Sequence, residues 1–107
     1  MKKIIEKYFE YFSNKDIHML KSLFSKKVSL KDWEINANGF DDVVQANIKI
    51  FNNVETIQIS LIEYYEHKNS CVCLIDILVN KKETLKVIDV IRFDENNKIL
   101  EISAYKQ

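Results

Sequence analysis

The stretch Thr84-Leu85-Lys86-Val87-Ile88-Asp89-Val90-Ile91-Arg92-Phe93 decides how this chain is read. Alternation puts Leu85, Val87, Asp89, Ile91 and Phe93 on one face and Lys86, Ile88, Val90 and Arg92 on the other, which is the two-residue period of a β-strand. Working outward, three polar breaks at residues 66–69, 80–82 and 94–97 divide everything after Val54 into four strands of roughly ten residues each. Asn96-Asn97 suits a tight hairpin, because asparagine tolerates positive φ better than most residues. Links this short predict an antiparallel meander.

Upstream the period changes. Ile4, Ile5, Tyr8, Phe9 and Phe12 follow helical spacing and predict a first helix over residues 3–14. Asp16 reads as the N-cap of a short second helix whose inward face is Ile17, Leu20, Leu23 and Phe24, ending at Ser25-Lys26-Lys27. Residues 28–34 return to strand alternation, with Val28, Leu30 and Asp32 on one face. A loop over residues 35–39 then leads into a third helix marked by Phe40, Val43, Val44, Asn47, Ile48 and Phe51. Asp41 and Asp42 lie in its first turn, where the helix dipole favours them, and Asn52-Asn53 ends it. Three helices followed by long strands give an α+β class, one domain over residues 1–107, with the helices on one face of a curved, mainly antiparallel sheet.

Composition narrows the function. The 107 residues hold one glycine, no proline and 16 basic against 16 acidic side chains. Glycine-rich phosphate cradles need at least two glycines close together, and Gly39 stands alone. At 47% hydrophobic and 30% charged, the chain is globular rather than disordered. A neutral chain with Arg92 as its single arginine lacks the basic stripe of a nucleic-acid binder. Apolar runs are too short to span a bilayer and no signal-peptide core is present, so the expected location is the cytoplasm, with no membrane partner. Cys71 and Cys73, two apart on one strand, read as small buried hydrophobes. His18 is expected on the outer side of the second helix and His67 in a hairpin loop. Neither has metal-ligand spacing around it, so neither a metal nor another cofactor is expected.

Chemistry is sought where polar residues occupy apolar positions. Asp89 lies on the strand face without cations, where ionising a carboxylate is costly. The alternative is an edge position or a salt bridge with a lysine. Asp32 repeats the situation beside Val28 and Leu30, or else simply starts the loop. Tyr8 sits in the stripe of the first helix, so its hydroxyl needs a buried partner, the mouth of a cavity or the surface. Asn47, in the stripe of the third helix, is a fourth inward polar group or a boundary residue. Asp76 lies on a strand apolar on both faces, and its direction is open.

The order of elements and three stretches resemble the SnoaL-like and ketosteroid-isomerase-like branch of the nuclear transport factor 2-like superfamily. The stretches are residues 8–16 (Tyr8-Phe9-Glu10-Tyr11-Phe12-Ser13-Asn14-Lys15-Asp16), residues 23–28 leading to Asp32, and residues 87–94 with Lys98-Ile99. The resemblance implies a cone-shaped, cystatin-like roll and a homodimer. Carried over residue by residue, it implies Asp32 as a base, with Tyr8 and Asp89 as oxyanion donors. In ketosteroid isomerase a carboxylate moves a proton beside a carbonyl while a tyrosine and a protonated aspartic acid hold the enolate oxygen. Trp33 stands where the family commonly has proline, and the loop to Gly39 is a couple of residues short, so the pocket rim differs. The expectation is a cavity lined by Tyr8, Asp32, Asp89, Trp33 and Asn47 that takes a small apolar or carbonyl-containing molecule. The protein is then an isomerase- or cyclase-like proton-transfer enzyme, or a non-catalytic ligand-binding or dimerising module of the same fold.

Overall fold

The computed structural model describes residues 1–107. Its elements are α1 (Lys2–Ser13), α2 (Ile17–Lys21), β1 (Phe24–Lys31), β2 (Asn36–Asn38), α3 (Phe40–Asn52), β3 (Ile57–His67), β4 (Ser70–Val79), β5 (Glu83–Phe93) and β6 (Ile99–Lys106). The strands form one open sheet in the order β2-β1-β6-β5-β4-β3. All neighbours are antiparallel except β1 and β6, which run parallel, so the sheet is mixed. The class is α+β, as the periodicities predict.

Helix α1 buries Ile5, Tyr8, Phe9 and Phe12, the stripe read from the sequence. Asp16 caps α2 by accepting from the Met19 amide at 3.1 Å. That helix is shorter than its apolar spacing suggests, because Phe24 belongs to β1. The Ile99 amide donates to the Leu23 carbonyl at 2.8 Å and Phe24 pairs with Ile99 in register, so β6 draws these residues into the sheet. Residues 35–39 are likewise more ordered than the expected loop. Ser29, Leu30 and Lys31 pair with Asn38, Ala37 and Asn36, which makes β2 a sixth strand. Gly39 follows at φ 92°, a conformation that side-chain-bearing residues adopt only with strain, and serves as the N-cap residue of α3.

The remaining turns use other residues at positive φ: Lys68, Asn80, Lys81 and Asn97 lie between 53° and 61°. Asn80 also accepts from the Glu55 and Thr56 amides, and Lys15 donates to the Val54 and Glu55 carbonyls. These bonds fasten the entry to β3 against the end of α1 and the β4–β5 turn. Register irregularities between Leu61 and Glu63 and between Arg92 and Phe93 are the bulges that bend such a sheet.

One cluster of 21 buried residues fills the space between helices and sheet. The outer sheet face is different. Asp76 points there and pairs with Lys86 at 3.2 Å, and Arg92 approaches Glu101 at 3.7 Å. Between these pairs the face carries exposed apolar side chains, among them Ile88 and Tyr105, which lie opposite each other across β5 and β6.

Candidate functional site

A cavity of about 380 Å³ lies between α1, α3 and the inner sheet face. Sixteen of its 22 lining residues are hydrophobic, so its few polar groups carry its chemistry. Tyr8 comes from α1, Asn47 from α3, Asp89 from β5, and Asp32 and Trp33 from the turn after β1. The five residues singled out from the sequence thus share one cavity.

Asp89 is where strand alternation puts it. Val87, Asp89, Ile91 and Phe93 are all buried on one side of β5, while Lys86 and Arg92 face out. It is 6% exposed and forms no salt bridge. Burial, and secondarily the negative charge of Asp32, push its pKa from 3.8 up to about 7. The edge and salt-bridge alternatives therefore do not hold. Tyr8 is buried, its ring packed near Phe12 and Phe24. Burial, then the charge of Asp89, raises its hydroxyl well above the usual tyrosine value. It stays a proton donor at any physiological pH.

Asp32 plays two parts. It stands one residue beyond the end of β1, and its Oδ1 accepts from the Glu34 amide at 2.7 Å and the Ile35 amide at 2.6 Å. This side-chain turn reverses the chain into β2. The loop-start reading and the cavity reading of Asp32 are thus both correct, with Oδ1 committed to the turn and Oδ2 free of it. Trp33 is 41% exposed at the rim, with the Lys106 ammonium 5.2 Å from its ring centroid. Asn47 is 1% exposed, which makes it a core residue rather than a boundary one. Its Nδ2 donates to the Val43 carbonyl at 2.8 Å, and its Oδ1 has no partner.

Sequence reading passed over three charged residues of the cavity lining, Glu34, Glu83 and Lys106. The signal was available: Glu83 continues the parity of Leu85, Val87 and Asp89, and Lys106 that of Ile102 and Ala104. Cys71 and Cys73 are buried free thiols with their sulfurs 3.9 Å apart. The hydrogen bond with Cys71, then burial, pushes the Cys73 thiol up, so it is an inert hydrophobe at neutral pH. His18 is exposed, and His67 is the exposed last residue of β3 rather than part of a loop. No three histidine, cysteine or carboxylate side chains come together as metal ligands would.

The order β2-β1-β6-β5-β4-β3, with three helices over its inner face and a cavity beneath them, defines the nuclear transport factor 2-like fold. No family model and no curated protein matches the chain. Solved structures do. A candidate SnoaL-like polyketide cyclase from Shewanella denitrificans superposes with a TM-score of 0.87 at 9% identity, over 99% of this chain and 89% of that one. A SnoaL-like protein of unknown function from Burkholderia thailandensis gives 0.85 at 10%, over 99% and 93%. A protein with a ketosteroid isomerase-like fold from Catenulispora acidiphila, in complex with trimethylamine, gives 0.85 at 11%, over 95% and 83%. At such identities the likeness establishes the fold.

Proposed function

We propose that the protein binds a small, largely apolar carbonyl compound and moves a proton on the carbon beside the carbonyl. The observation that carries this reading is the meeting of Asp32, Asp89 and Tyr8 in one apolar cavity, with Asp89 held near neutrality. Asp32 Oδ2 is the base. The carbonyl oxygen sits against the Tyr8 hydroxyl and protonated Asp89, which stabilise the enolate as it forms, an effect worth about 3 kcal/mol per preorganised donor. Asp32 then returns the proton to a more distant carbon of the enolate, so that a double bond moves and no cofactor is consumed. Solved structures described as SnoaL-like and ketosteroid isomerase-like support the reading at the level of fold. The test is turnover of a small β,γ-unsaturated ketone by the parent and by Asp32→Asn; equal rates would refute the catalytic reading.

A second reading has its own support. Two short amide bonds already hold Asp32 Oδ1, as they would in a purely structural turn. In that case the cavity binds its ligand without turnover. In either case we place the protein in a reducing cytoplasm, where two buried free thiols persist. We also assign it a homodimer through the outer sheet face, whose exposed Ile62, Tyr65, Ile88 and Tyr105 need a cover.

A further inference from the structure

The α3 wall of the cavity holds a polar group that the proton transfer does not use. One hydrogen bond, from Nδ2 to the Val43 carbonyl, settles which end of the Asn47 amide is which. It leaves Oδ1 shielded from solvent and without a partner, the one buried side-chain polar atom of the chain so placed. A buried acceptor left in that state is destabilising. Val43 lies four residues earlier in the same helix, and its carbonyl already serves the α3 ladder, so the bond adds little to folding. Leucine would continue the stripe of Val43, Val44 and Phe51 without that cost. Asn47 also lines the same cavity as Tyr8, Asp32 and Asp89.

We propose that the ligand carries a hydroxyl or N–H group, separate from its carbonyl, and that Asn47 Oδ1 accepts the hydrogen bond from it. The substrate class is thereby hydroxylated or amino-substituted carbonyl compounds rather than plain ketones. This rests on the carbonyl-binding reading above, with Tyr8 and Asp89 at the carbonyl and α3 at the donor group. The last torsion of an asparagine side chain is broad, so a modest turn of the amide presents Oδ1 to the cavity. Selection follows from the same cost: a ligand lacking the donor leaves Oδ1 buried and unpaired.

Trp33, the single tryptophan and a rim residue, supplies the readout. Its fluorescence is titrated with 1-tetralone, the ring-hydroxylated tetralones and their methyl ethers. At least one hydroxytetralone is expected to bind about tenfold more tightly than its ether, the worth of one net neutral hydrogen bond. In Asn47→Leu that ratio falls to about one; if this variant does not fold, Asn47→Ala serves, since it adds no volume. A preference that survives the substitution, or none in the parent, overturns the proposal while leaving the carbonyl-binding reading standing. Failure of 1-tetralone and all its derivatives to bind the parent overturns both.

Discussion

Asp89 and Asp32 line one apolar cavity, and the charge of Asp32 adds to burial in raising the proton affinity of Asp89. Burial disfavours the charged form of Asp89, and a negative charge in the same enclosure disfavours it further. Each group can be interrogated separately.

The first consequence is for stability. Asp89 binds its proton more tightly folded than unfolded, with a pKa of about 7 against 3.8. Between those values the folded state holds more protons, so stability falls as pH rises through that window and levels off above it. The shift corresponds to on the order of 4 kcal/mol. Asp89→Asn, which cannot ionise, is expected to gain little at pH 4 and up to roughly that amount at pH 8. Urea denaturation at both values measures it; a gain independent of pH would refute the assignment.

Turnover is expected to fall above about pH 7, as Asp89 loses the proton it donates. Tyr8→Phe lowers kcat by about 10²-fold, the usual cost of one oxyanion donor. A pH–rate profile of the parent on a β,γ-enone, with Asp89→Asn beside it, separates the two donors. The alkaline limb disappears in Asp89→Asn if Asp89 is its source.

Asp32→Asn keeps an acceptor for the Glu34 and Ile35 amides and removes the carboxylate proposed as the base. The fold is expected to hold while turnover drops by roughly 10²- to 10⁴-fold. Asp32→Ala loses the turn as well and is expected to cost about 1 kcal/mol more in stability than Asp32→Asn. Thermal melting alongside kinetics distinguishes the two roles of the residue.

Ile88 is 41% exposed on the outer face, opposite Tyr105. In a homodimer closed through that face, Ile88→Glu buries an unpaired charge and shifts the protein to monomer, with the cavity residues untouched. Sedimentation equilibrium reads the result; a parent that is already monomeric rules the dimer out.

Gly39 has φ 92° and open space where a Cβ would project. Gly39→Ala therefore meets backbone strain without a clash and is expected to destabilise by about 1–2 kcal/mol. A loss well above that, measured by denaturation, would mean that the β2–α3 junction does more than turn.

Periodicity carried most of this structure because the core is one-sided. The face of Val87, Asp89 and Ile91 was readable from alternation, and Tyr8 and Asn47 from helical spacing. Misreadings came where pairing across the sheet outweighs local pattern. Phe24 fits the α2 stripe by spacing, yet Ile99, 75 residues away, holds it in β1. Asn36, Ala37 and Asn38 look like a loop by composition and become a strand because the Asp32 turn lays them against β1. Tyr8, Asp32, Asp89 and Asn47 were read one by one, whereas Glu34, Glu83 and Lys106 were not. That Asp32 serves a turn and a cavity at once was not, since both uses call for the same carboxylate at the same place.

The parallel joint between β1 and β6 also bears on how the protein reaches its fold. Leu30 pairs with Ile102, and the only other strand that β1 pairs with is the three-residue β2. The hairpins of β3, β4 and β5 can form as they are made, whereas β1 must wait for β6 to enter between it and β5. Contacts so distant in sequence slow folding. Until β6 arrives, the apolar wall that becomes the cavity is open on one side, and Asp32 and Asp89 stand on separate pieces of chain. The two carboxyl groups of the cavity are therefore brought together by the strand that closes the sheet.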